Sequence, residues 1–147
     1  MGTPYSAIFG RALFRLTDTK LAQLTEAEQQ YILKQYMNSA IADFELKCQT
    51  YDLSKRDDVT GEFDEVLDNE VIEILATGIS YYWLSAQIMN RELLRNKLST
   101  KDYTYFSPAN LMRELSSLRS EVRTEYKHLI THYTYNHGDL TLENMGG

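Results

Sequence analysis

Three histidines, His128, His132 and His137, lie close together late in the chain. His128 and His132 are four residues apart, so on one helix both imidazoles could reach a single metal ion. Glu125, three residues earlier, completes the Glu-x-x-His step used by di-iron bundles. That site needs a second such step and further glutamates on facing helices, and no other histidine falls on a predicted helix. The acid pairs Glu62/Glu65 and Glu70/Glu73 have the three-residue spacing with which helical carboxylates hold magnesium. Such enzymes set a second acidic pair opposite the first, whereas the last helix alternates its charges. Asp68 and Glu70 at a helix start are accounted for by the macrodipole. The lone Cys48 excludes an intramolecular disulfide and any multi-cysteine site, and it reads as a packed thiol. There is no glycine-rich phosphate loop, nucleophile elbow or Cys–His pair. The expectation is a non-enzyme with no catalytic residue, no metal and no cofactor.

Helical periodicity dominates the elements that carry these residues. The chain reads as one all-α domain over residues 1–147, a bundle of about four main helices. The clearest helix starts at Asp68, a good N-cap, and covers 69–96. Ile72, Leu75, Ile79, Tyr82, Ala86, Met89 and Leu93 form one apolar seam along it. Val71, Ile74, Gly78, Tyr81, Ser85 and Ile88 form a second seam beside the first. Two seams place this helix in the middle of the bundle. Gly78 costs about 1 kcal/mol relative to alanine in a helix interior, which points to close approach by another backbone.

Ser107-Pro108 opens the next helix, with serine as N-cap and proline at the first helical position, so the helix covers 108–133. Its stripe is Leu111, Leu115, Leu118, Val122, Tyr126, Leu129 and Tyr133, with Arg113, Arg119, Glu121, Arg123 and Lys127 among the charges on the other face. Thr25-Glu26-Ala27-Glu28 is a capping box that starts a helix over 25–48 with Leu33, Met37, Ala40 and Phe44. A short helix over 4–16 carries Ile8, Ala12 and Phe14. Residues 49–67 read as an acidic loop and 136–147 as a flexible tail.

The whole chain has 147 residues, the usual size of one domain, and a net charge of -6. Asp52 to Glu70 carries eight acids and two bases, which equals that excess. A protein that grips phosphates has the opposite balance. No apolar run approaches the ~18 residues that span a bilayer. The N-terminus does not read as a secretory signal, although Gly2 and Ser6 fit a loose acylation pattern with Pro4 inside it. The expectation is a soluble protein of a reducing compartment.

Eleven tyrosines and five phenylalanines concentrate in Tyr81-Tyr82-Trp83 and Tyr103-Thr104-Tyr105-Phe106. Three consecutive aromatics on a helix point about 100° apart and cannot share one core. Tyr81, Tyr82, Trp83, Tyr103, Tyr105, Phe106 and Tyr135 are therefore candidate interface residues. The rival reading packs them under the loop before Ser107.

The block from Glu70 onward carries a resemblance. It has an Ile/Leu-rich helix with a Tyr81-Tyr82-Trp83-Leu84 centre, then Phe106-Ser107-Pro108-Ala109-Asn110. A helix with Leu115-Ser-Ser-Leu118-Arg119-Ser-Glu121 follows. Over residues 68–135 this resembles the helical head–tail connector (head-completion, neck adaptor) proteins of tailed bacteriophages. The resemblance implies a structural virion protein forming a homo-oligomeric ring, typically a dodecamer. The ring docks under the portal protein, meets a downstream neck or tail protein, and surrounds the path of the DNA without sequence-specific binding or membrane contact. It implies location at the virion neck, in host cytoplasm during assembly, and a C-terminal segment such as 136–147 that docks on the portal. Asp57, Asp58, Asp64 and Glu65 are candidates to face the channel, where negative charge keeps DNA from sticking. Two other readings stand beside this one. One is a helical regulatory or binding module dimerising through its tyrosine-rich helix. The other is a metal-dependent helical hydrolase using Glu70, Glu73 and His128.

Overall fold

A computed structural model of the chain describes residues 2–16, 24–97 and 109–137. The elements run α1 (Tyr5–Arg15), α2 (Glu26–Lys47), β1 (Arg56–Asp57), β2 (Glu62–Phe63), α3 (Asn69–Lys97) and α4 (Ala109–His137). This is an all-α bundle with one minimal antiparallel hairpin, in which Arg56 pairs with Phe63 and Asp57 with Glu62.

Local chemistry sets the helix ends. The Thr25 Oγ1 accepts the Glu28 N–H at 3.2 Å and donates to the Glu28 carboxylate at 2.9 Å, so Thr25 caps the helix with Glu28 folded back on its hydroxyl. At α3 the Ile72 N–H bonds the Asp68 carbonyl at 3.0 Å. Helix α1 has no side-chain cap; instead its first N–H, on Tyr5, donates to the Gly61 carbonyl of the hairpin at 2.7 Å. Gly61 has φ of 70°, a conformation glycine adopts freely. The residues before α1 extend the hairpin. The Phe63 N–H donates to the Thr3 carbonyl at 2.8 Å, and the Thr3 N–H donates to the Glu65 carbonyl at 3.1 Å. The buried Thr3 hydroxyl accepts the Leu67 N–H at 2.8 Å. The acidic stretch is thus a folded structure tied to the N-terminus, where the sequence predicted a loop.

Helix α3 lies centrally, with α1, α2 and α4 all packed on it. Val71, Ile74, Leu75, Ala76 and Ile79 are essentially sealed, together with Ile8, Leu33, Met37, Phe44 and Tyr133 from the surrounding helices. The second of the two predicted seams is the deeper one, since Met89 of the first is 62% exposed. Met89 points the same way round α3 as the sealed Val71, five turns earlier, so its exposure follows from its place along the helix and not from its face. Thr77 and Ser80 are buried with their hydroxyls bonded to the carbonyls of Glu73 and Ala76.

Four helix expectations need correcting. Phe14 is 85% exposed and the buried aromatic of α1 is Phe9, because Phe14 stands about 200° round the helix from Ala12. In α4, Leu118 is 46% exposed while Ile130 enters the core. Helix α4 also continues past Tyr133 to His137, so Asn136 and His137 belong to it and not to the tail. Gly78 is crowded by side chains rather than by backbone: a Cβ there would lie 2.6 Å from the Ala40 Cβ and 2.9 Å from the Tyr126 ring and hydroxyl.

Candidate functional site

Consecutive residues on α3 point about 100° apart, and Tyr81 and Tyr82 use that divergence. Tyr82 reaches α2, where its hydroxyl donates to Oδ2 of Asp43. Tyr126 of α4 donates to the same oxygen at 2.9 Å. One carboxylate oxygen thereby ties three helices. Tyr81 turns to α4, stacking on Tyr126 with centroids 6.0 Å apart and meeting Tyr82 edge-on at 5.1 Å. Arg119 lies over the Tyr81 ring at 5.7 Å and donates from Nε to the Ser85 hydroxyl at 2.9 Å. Burial, followed by the Asp43 charge, pushes the Tyr126 hydroxyl well above the ordinary tyrosine range. The same causes raise Tyr82. These phenols are fixed hydrogen-bond donors at neutral pH, suited to structure and recognition rather than to nucleophilic or base chemistry.

Beside this cluster, α2 and α4 border an open groove of about 420 Å³ with Tyr81, Tyr82 and Tyr126 among its lining residues. Ile130 and Leu46 add apolar surface, Leu46 being 82% exposed. Lys47, Arg123 and Lys127 complete it, all exposed and none in an ion pair with a described residue. Tyrosine, apolar and arginine side chains around a shallow depression have the composition of a protein-binding surface.

The other sequence candidates are distributed as follows. Trp83 is 5% exposed within the core, so in the single chain it packs inward; α3 is covered on enough of its circumference to take Trp83 on one side and Tyr81 on another. Tyr81 and Tyr82 are half-buried, and Tyr135 is 66% exposed. Tyr103, Tyr105, Phe106, the Ser107-Pro108 start and residues 138–147 of the tail lie outside the described residues. Asp57, Asp58, Asp64 and Glu65 are all exposed, but two have local tasks. Asp57 accepts the Val59 N–H at 2.8 Å within the turn. Asp58 accepts the Tyr5 hydroxyl at 2.7 Å and pairs with Lys34 at 3.0 Å, and the tyrosine hydrogen bond holds its carboxyl below the usual range. Asp64 and Glu65 have no side-chain hydrogen bond or ion pair with a described residue.

Glu73, Glu125, His128 and His132, considered for metal chemistry, have partners elsewhere. Glu73 accepts from Arg11 at 3.3 Å and from Nε of Arg15 at 3.1 Å. Arg15 also reaches Glu125 at 2.7 Å, so one guanidinium joins α1, α3 and α4. The His128 and His132 rings stack at 6.1 Å, and His132 Nε2 lies 3.0 Å from the Asn136 amide. No group of three His, Cys, Asp or Glu side chains among the described residues is placed to hold a metal ion. Cys48 is buried at the end of α2 with its sulfur 2.9 Å from the Thr50 hydroxyl. Gly2 abuts the backbone of Phe63 and Glu65, which leaves no room for a side chain.

Sequence reasoning missed Asp43, Leu46 and the grouping of Arg123 with Lys127. The signal for the last was present as four-residue spacing on the polar face of α4, together with Arg119. Asp43 follows the apolar Ala40 by three positions, but nothing local ties it to phenols 39 and 83 residues away.

The chain matches no protein-family model, no curated protein and no solved structure. No helix among the described residues is long and apolar enough to cross a membrane.

Proposed function

We propose that this chain is a structural subunit of a tailed-phage neck, assembling as an adaptor ring beneath the portal and joining the head to the tail around the DNA path. The observation that carries the reading is the groove between α2 and α4. Its tyrosine floor, its exposed Leu46 and its Lys47, Arg123 and Lys127, none in an ion pair with a described residue, form a surface that the described residues leave open. Aromatic and arginine side chains of this kind supply most of the energy of protein interfaces. The α3–α4 pair that forms much of the groove is also the block that resembles the connector family.

The rest of the molecule suits a ring subunit. A fold whose core is closed by α3 can present its outer helices to neighbours without unfolding. The overall negative charge disfavours gripping the genome that passes through.

Electron microscopy of the purified chain, alone and mixed with portal rings encoded by the same genome, tests the reading. Rings, or portals bearing an added layer of density, are the expected outcome. A monomer that leaves the portals bare contradicts it.

A further inference from the structure

Helix α2 carries two surfaces of opposite character on opposite sides. On one side the hairpin is fixed to its first half: Asp58 pairs with Lys34 at 3.0 Å and the Arg56 guanidinium lies 3.5 Å from the Asn38 side-chain oxygen. On the other side the groove uses Asp43 and Lys47 from its second half. Lys34 and Asp43 are nine residues apart, which is about half a turn round the helix, and Lys34 and Lys47 are separated by about 20 Å along the axis. The hairpin is held in place by Thr3 as well as by α2. It cannot fold back into the groove of its own chain.

The two surfaces are complementary. Asp64 and Glu65 are exposed with no side-chain hydrogen bond or ion pair to a described residue, and Val66 beside them is 72% exposed. The groove offers Arg123 and Lys127, exposed and in no ion pair with a described residue, near Leu46, which is 82% exposed. We infer that the Asp64–Val66 segment of one copy docks in the α2–α4 groove of the next, its two carboxylates against Arg123 and Lys127 and Val66 against the apolar surface around Leu46. The occupant is a second copy of this chain. A contact between two different patches on identical chains is head-to-tail, and repeated around a closing rotation it makes a ring. The segment is already ordered by its bonds to Thr3, so little conformational freedom is lost on docking. This inference rests on the ring reading above and specifies its lateral contact. It places Asp64 and Glu65 between subunits instead of in the DNA channel.

Charge reversal tests it. Two double variants, R123E with K127E and D64K with E65K, alter exposed side chains that have no ion pair with a described residue, so each should keep the wild-type circular dichroism and melting temperature. Each alone should raise the concentration for half-assembly about tenfold or more, because like charges then oppose each other across the contact. The effect should shrink as salt is added. Combining all four reversals in one chain, or mixing the two double variants in equal amounts, should restore assembly as measured by sedimentation velocity, on portal rings or with the chain alone. Folded double variants that assemble like wild type would overturn this contact while leaving the ring reading in place. So would a folded fourfold variant that fails to recover. A wild-type chain that stays at 17.1 kDa both alone and with portal rings would overturn the ring reading and the contact together.

Discussion

Tyr126 donates its hydroxyl to Asp43 at 2.9 Å across 83 residues of sequence, locking α4 to α2. The acceptor oxygen is shared with Tyr82 of α3, so this pair is the polar centre around which the groove is built. Removing the hydroxyl leaves a half-buried carboxylate one donor short. Tyr126→Phe should lower stability by about 1–2 kcal/mol, measured by urea unfolding, with the slope of the unfolding line unchanged. A loss below a few tenths of a kcal/mol would mean that water replaces the phenol.

The same residue makes a prediction about pH. Tyr126 has its folded pKa raised above the unfolded value near 10. Its contribution is therefore complete below pH 10 and falls as pH rises further, because only the unfolded chain releases the proton. The slope is up to about 1.4 kcal/mol per pH unit from this one group. Unfolding free energies between pH 9 and 11 should fall more gently in Tyr126→Phe than in the wild type. Parallel curves would show that the phenol titrates alike in both states.

Two glycines should respond oppositely to alanine. A Cβ at Gly78 would meet the Ala40 Cβ at 2.6 Å and the Tyr126 ring at 2.9 Å, whereas one at Gly10 of α1 meets nothing within 4 Å. Gly10→Ala should stabilise by about 0.5–1 kcal/mol through helix propensity. Gly78→Ala should destabilise by about 1–3 kcal/mol through overpacking. Thermal melts of the two variants give the comparison directly.

Arg15 joins Glu73 and Glu125, side chains that are 30% and 44% exposed. Arg15→Met keeps the apolar stem and removes the charge. It should cost about 1 kcal/mol or less, since partly exposed ion pairs are worth little, and high salt should narrow the difference. Denaturation at low and at high sodium chloride checks both parts.

Much of this architecture was legible beforehand. The capping box at Thr25, the Asp68 start and the 3,4 spacing of Ile72 to Ile79 each encode a helix in a few neighbouring residues, and those helices formed within a residue or two of where they were read. The end of α4 was missed because the polar run from Thr134 to His137 has no residue that breaks a helix before Gly138. The hairpin was missed because strands of two residues cannot show alternation; its Gly61 was the one cue. The groove was least legible. Its lining comes from three helices, and the Tyr126–Asp43 bond that organises it depends on packing that no local pattern records.

The most direct test of the account is the mass of the native particle. Mass photometry of the wild-type chain with its cognate portal ring should show one discrete added mass, a whole-number multiple of 17.1 kDa that matches a closed ring. A portal peak of unchanged mass, with all of the added chain remaining monomeric at concentrations where such rings form, would contradict it.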